Sequence, residues 1–153
     1  VQIREDYHLS PTSRGFVQYY PTAEHWMMAW KAKVSCDDNN ATLNKILAAK
    51  SPSEAKKLGR SIPHINWSVW NDAKVNVVIQ GNIHKFSQHS DLAQFLRESG
   101  DKILVEASPR DDIWGIGMGR DNPNAQNPAR WGKGDNLLGF ALMEVRDRLF
   151  RQG

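Results

Sequence analysis

The chain has one cysteine, no internal repeat, no low-complexity tract and no apolar run near the length of about 20 residues that a bilayer span needs. A lone cysteine excludes an intramolecular disulfide. In "VSCDDNN", Cys36 also stands beside acids that discourage a thiolate, so an inert thiol is expected. The five histidines lack metal-ligand spacing, and neither an "HEXXH" nor a paired-cysteine pattern occurs, so no metal is predicted. No charged-then-apolar signal pattern opens the sequence, which makes a cytoplasmic or nuclear location the expectation. The first residue is Val1 rather than Met, as in a fragment or a processed chain.

What is present suits one globular domain. The 153 residues are 40% apolar and 24% charged, enough for a single substantial core and too apolar for a disordered class. The formal charge of +3 is compatible with a phosphate-bearing ligand but does not demand one.

Hydrophobic periodicity predicts more helix than strand. "SRGFVQYYP" reads as a short strand after a glycine-marked turn. Thr22 is placed to cap a helix over "AEHWMMAWKAK". "DDNNATLNKILAAK" follows as a second helix, with Asp37 to Asn40 as candidate caps. In "SPSEAKKLGR", Ser51 is the expected cap, Pro52 the first helical residue, Glu54 the partner in a capping box and Gly59 the terminator. Between Asn66 and Gln88 the "VNVVI" run favours a strand, but the length of the apolar pattern favours a buried helix, which is the expectation. "SDLAQFLRESG" reads as an amphipathic helix capped by Ser90 and stopped by Gly100, and "KILVEA" as a strand. "NLLGFALMEVRDRL" carries Leu138, Ala141, Leu142, Val145 and Leu149 on one stripe, with Asp135 or Asn136 as N-cap. The fold class is helix-rich α+β with a few short strands.

Two stretches carry candidate chemistry. In "YPTAEHWMMAWKA", Glu24 and Lys31 are seven residues apart, so on a helix they share a face about 10 Å apart along the axis. Surface charges commonly sit this way. The surrounding Trp26, Met27, Met28 and Trp30 leave few faces for water, and burial would perturb both pKa values. The second stretch is "SPRDDIWGIGMGRDNPNAQNPARWGKGDN", too rich in Gly, Pro and Asn to be regular and long enough to be functional. Its "WGIGMG" fits neither a P-loop nor a dinucleotide fingerprint, and no cofactor is predicted. It offers flexible backbone beside Trp114, with Asp111 three residues earlier, to hold a ribose and stack a ring. "GKGDN" puts Lys133 and a helix start together, which suits a phosphate.

In order along the chain, "YPTAEHWMMAWKA", "ILAAKSPSEAKKLGR", "KFSQ", "ILVEASPRDDIWGIGMG" and "WGKGDNLLGFALMEVRDRL" resemble the successive blocks of the NADAR, or YbiA-like, family. The likeness runs from about Tyr19 to the C-terminus and implies a single domain over residues 1–153. The segment 1–15 is short or truncated beside the family's longer "FSNFYPSPF"-like stretch. The resemblance implies an N-glycosidase acting on a ribosyl group joined to an exocyclic amine. Its partner would be ADP-ribosylated guanine in nucleic acid or nucleotide, with ADP-ribose as product, or, as alternative, a phosphorylated ribosylamine of riboflavin biosynthesis. A non-catalytic ADP-ribose or nucleotide reader is the alternative of another class. By the same likeness Lys31, Glu24 and Asp111 are the candidate catalytic residues. His25, Arg60, Trp114, Gly115, Gly117, Lys133 and Asn136 are the candidate substrate contacts.

Overall fold

The computed structural model describes residues 1–7, 15–35 and 40–151. Cys36, the candidate caps Asp37 to Asn39 and most of "HLSPTSRGF" lie outside them. By its backbone contacts the chain divides into two compact units, Val1–Ala93 and Gln94–Gly153.

In the first unit, β1 (Ile3–Tyr7) pairs antiparallel with β2 (Phe16–Tyr20), Ile3 opposite Tyr20. β1 was not foreseen, because "IREDY" alternates only weakly. The side-chain amide of Gln88 extends the pairing by donating to Arg4 O and accepting from Arg4 N. Four helices follow: α1 (Ala23–Ser35), α2 (Asn40–Ala48), α3 (Pro52–Arg60) and α4 (Trp67–Gln88). α1 is central and packs on α2, α3 and α4. Its buried Trp26, Met28, Ala29 and Ala32 join Ile3, Tyr20, Ile46 and Ala55 in one core.

Two close approaches hold α1 in place. A Cβ on Gly59 would stand 2.0 Å from Met28 Sδ, and one on Gly81 would stand 2.4 Å from the Trp26 ring. Trp26 Nε1 also donates to Val77 O at 2.8 Å, tying α1 to α4 through a polar bond inside apolar contact. Gly59 therefore does not terminate α3, which runs on to Arg60; it lets α3 approach α1. Ser51 Oγ accepts from Glu54 N as expected, while Glu54 Oε2 takes Lys50 N. "VNVVI" is helical: Asn66 caps α4 by accepting from Val69 N, and the helical pattern then persists for 22 residues.

The second unit holds most of α5 (Ser90–Glu98), a single 3-10 turn at Pro128–Arg130, and α6 (Leu137–Phe150). Ser90 is the first residue of α5 rather than its cap, and Gly100, at φ 55°, sits within the turn that follows. "KILVEA" is not a strand. It has no strand partner among the described residues, and side chains meet part of its polar backbone instead. Asn136 Nδ2 donates to Leu104 O, Asn136 Oδ1 accepts from Glu106 N, and the buried Arg146 donates to Lys102 O. The Asn136 amide and the Arg146 guanidinium thus take backbone groups that a partner strand would otherwise meet. Ile116, Ala125 and Trp131 form a small core within the long loop.

Candidate functional site

The α1 sequence places Lys31 where a surface lysine is not found. Lys31 is 7% exposed, and its Nζ donates to Gly59 O at 3.1 Å. The indole of Trp67, first residue of α4, lies beside the amine with its ring centroid 5.1 Å from Nζ. Burial strips water from the ammonium and the Arg60 guanidinium repels it, so the Lys31 pKa is lowered from its ordinary value. The sequence reading expected this shift from Trp26, Met28 and Trp30. The packing instead uses α3 and the start of α4, and Trp67, which the sequence did not single out, is the adjoining aromatic.

Lys33 is the other lysine of α1 whose pKa is lowered, again chiefly by burial and against the attraction of Glu5. Its Nζ donates to Tyr20 Oη at 2.7 Å, Tyr20 Oη donates to Glu5 Oε2, and the Trp30 ring lies 4.5 Å from the amine. That arrangement ties β1 and β2 to α1. Lys31, held by one backbone carbonyl, forms no ion pair among the described residues.

Glu24 is half-buried in the first turn of α1, two turns from Lys31. His25 is 1% exposed, and both ring nitrogens are engaged: Nε2 with Ala49 O at 2.9 Å and Nδ1 with Thr22 Oγ1 at 2.7 Å. A carbonyl only accepts, so Nε2 carries the proton and Nδ1 accepts from the threonine hydroxyl. His25 thus secures the start of α1 and has no ring nitrogen left for a substrate, contrary to the expectation. Thr22 also accepts from His25 N, the predicted cap. Arg60 ends α3, exposed to solvent.

In the second unit, the loop after Glu106 is held rather than flexible. Asp111 Oδ1 accepts from Ile113 N and Trp114 N at 3.1 and 2.8 Å, leaving its second oxygen for other work. Asp111 O accepts from Gly117 N, and Gly117 itself needs a φ of 68°. Gly115 has no room for a side chain: a Cβ would stand 2.8 Å from both Asp111 O and Glu106 O.

The carbonyls of Asp112, Ile113, Trp114 and Gly115 accept from the amides of Asp135, Leu137, Leu138 and Asn136 respectively. The first amides of α6, which would otherwise be orphaned, are therefore used by the loop. This removes the expected phosphate cradle at Leu137 and Leu138, although Lys133 remains exposed beside it. Asn136 precedes α6 at φ 52° but makes no side-chain cap; it is fully buried and spent on Leu104 and Glu106. Trp114 is half-buried. A cavity of about 400 Å³ in this unit is lined by Ile103, Val105, Arg120, Gln126 and Trp131, among others, and by none of the predicted site residues.

A helix-rich α+β chain with a desolvated lysine on its central helix is a recognisable class, and the comparisons assign it. The NADAR domain model matches residues 6–150, and the chain belongs to that family. It is 40% identical to an N-glycosidase of Acanthamoeba polyphaga mimivirus, across 84% of this chain and 74% of that protein. It is 33% identical to a chloroplastic riboflavin biosynthesis protein PYRR of Zea mays, covering 91% of this chain but only 21% of that longer protein. The NMR structure of the E. coli protein YbiA superposes with a TM-score of 0.67 at 29% identity, over 86% of this chain and 68% of YbiA.

Proposed function

We propose that this chain is an N-glycosidase that cleaves the bond between a ribosyl C1 and an exocyclic amine, with Lys31 as an amine nucleophile. The Lys31 amine carries the reading: it is buried, unpaired with any carboxylate among the described residues, and shifted towards its neutral form. An uncharged amine is what addition to an imine requires. The relatives named N-glycosidase support the same bond class.

In the first step the glycosylamine opens its ribose ring to an imine at C1. Neutral Nζ adds to C1, and its two protons pass in turn to the substrate nitrogen. That nitrogen then leaves as the free amine, and C1 stays joined to Nζ as an imine. Water adds, the C1–Nζ bond breaks, and the released aldehyde recloses to ribose while Nζ regains both protons from the water. Glu24 is the proposed carrier of these protons, a role that contributes about 10²- to 10⁴-fold in general. Asp111 is the proposed partner for ribose hydroxyls or for a share of that role.

Within this class we favour removal of ADP-ribose from guanine. The tryptophans that suggested a stacked base are only partly free for it, since Trp26, Trp70 and Trp131 are buried. A ribosylaminopyrimidine phosphate is the second reading, favoured by the maize relative's name. Incubation with each substrate and identification of released ADP-ribose or ribose 5-phosphate separates the two.

Cyanoborohydride should trap the sugar on Lys31, seen by peptide mapping, and Lys31→Arg should abolish both adduct and turnover because a guanidinium is not a nucleophile here. Parent-like turnover by Lys31→Arg would make the lysine electrostatic. It would transfer the chemistry to a carboxylate-activated water and an oxocarbenium-like state.

A further inference from the structure

We infer that Trp67 is the platform on which the leaving heterocycle stacks while its exocyclic amine is exchanged for Lys31. This deepens the N-glycosidase reading and rests on it. Lys31 is 7% exposed, whereas Trp67, whose ring centroid is 5.1 Å from the amine, is 58% exposed. A large indole left open to solvent at the first position of a 22-residue helix contributes little to the core, and that helix needs no tryptophan to begin.

Its position is nevertheless well fixed. Asn66 N donates to Ser35 O at 2.7 Å, and Asn66 Oδ1 accepts from Val69 N at 3.2 Å, so the residues on both sides of Trp67 are anchored. The indole is therefore an aromatic surface held against the buried Lys31 amine.

The distances suit the exchange. A heterocycle offset-stacked on the indole lies about 4.5–7 Å from its centroid, the same range that separates the centroid from Nζ. A heterocycle sharing the ring face that Nζ overlies brings its exocyclic nitrogen, and the C1 bonded to it, within reach of Nζ. The Arg60 guanidinium, near enough to disfavour the Lys31 ammonium, supplies positive charge for a phosphate on the sugar. Stacking recognises a flat π-face and not a pattern of hydrogen bonds. Trp67 would select aromatic over aliphatic leaving amines without distinguishing guanine from an aminopyrimidine.

Two measurements test this separately from the Lys31 mechanism. Binding of a guanine mononucleotide and of a free aminopyrimidine is measured with the parent chain, Trp67→Phe and Trp67→Leu. Turnover is measured on a heterocyclic and on an aliphatic N-ribosylamine. Base–aromatic stacking is worth enough that Trp67→Leu should weaken base binding and heterocycle kcat/KM on the order of 10-fold. Trp67→Phe should retain most of both. The aliphatic substrate should lose less than the heterocyclic one, because only the heterocycle loses a stacked face.

Unaltered base binding in Trp67→Leu, or equal losses on both substrates, overturns the inference. An absent cyanoborohydride adduct in the parent chain, with base binding still dependent on Trp67, overturns the Lys31 mechanism and leaves the platform standing.

Discussion

Both units use glycine to bring elements closer than side chains allow, but against different surfaces. In Val1–Ala93 the missing Cβ atoms of Gly59 and Gly81 face side chains, Met28 and Trp26. In Gln94–Gly153 those of Gly115, Gly134 and Gly139 face backbone carbonyls, with Gly134 2.3 Å from Ile116 O and Gly139 2.1 Å from Leu104 O. A methionine can change rotamer to relieve a contact. A carbonyl committed to a hydrogen bond moves only with its segment. The first unit therefore positions its lysine by side-chain packing that can be retuned, and the second positions Asp111 and Trp114 by a backbone network that cannot.

The largest effect should come from Gly139→Ala. In an open helix this change would gain about 1 kcal/mol. Here the new methyl would meet both Leu104 O and the Asn136 amide, which already bond to each other. A net loss of about 3 kcal/mol or more is expected, at the upper end of overpacking costs. Urea denaturation measures it, and faster hydrogen exchange in α6 locates it. A stabilised Gly139→Ala would erase the contrast between the units.

Gly59→Ala should cost less, about 1 kcal/mol after the helix-propensity gain, because Met28 can yield. Met28→Ala alone should cost about 2–5 kcal/mol as a buried truncation. The double variant should be more stable than the sum of the two by about 1 kcal/mol, the signature of a shared contact. Strict additivity would show that Met28 is not what opposes the new methyl.

The same contrast explains what could be read beforehand. Helices of the first unit announce themselves by periodicity and caps, as Ser51, Pro52 and Asn66 illustrate, because their conformation is decided locally. Lys31 stood out for its aromatic company, and the resemblance to family blocks gave it a role. Trp67 did not stand out, since its relation to Lys31 joins residues 36 apart in sequence across two helices. "KILVEA" misled because strand propensity is met there by one asparagine side chain 30 and 32 residues away. No local pattern reveals that His25 spends both ring nitrogens inside the fold or that the α6 amides are claimed by the "DIWG" carbonyls. Each depends on where a distant carbonyl lies.

Lys31→Met should have the smallest effect on stability and a total effect on turnover, and its pH dependence sharpens the comparison further. The folded-state pKa of Lys31 lies below 10.5, so the unfolded chain binds this proton more tightly than the folded one. Between the two pKa values the unfolded chain carries more protons, and stability from this group rises with pH. Below the folded pKa the penalty is fully present, and near pH 10.5 and above it is gone. Removing the amine should therefore raise Tm slightly at pH 7, less the lost bond to Gly59 O, and the gain should shrink as pH approaches 10.5. Turnover titrates the same group from the other side: kcat/KM of the parent chain should climb with pH through the folded pKa and level off above it, which reports the free enzyme. The midpoint of the rate profile and the onset of the shrinking Tm difference should coincide. A rate profile that is flat or falls across that onset would mean that the neutral amine is not the reacting form, and that burial of Lys31 serves the fold alone.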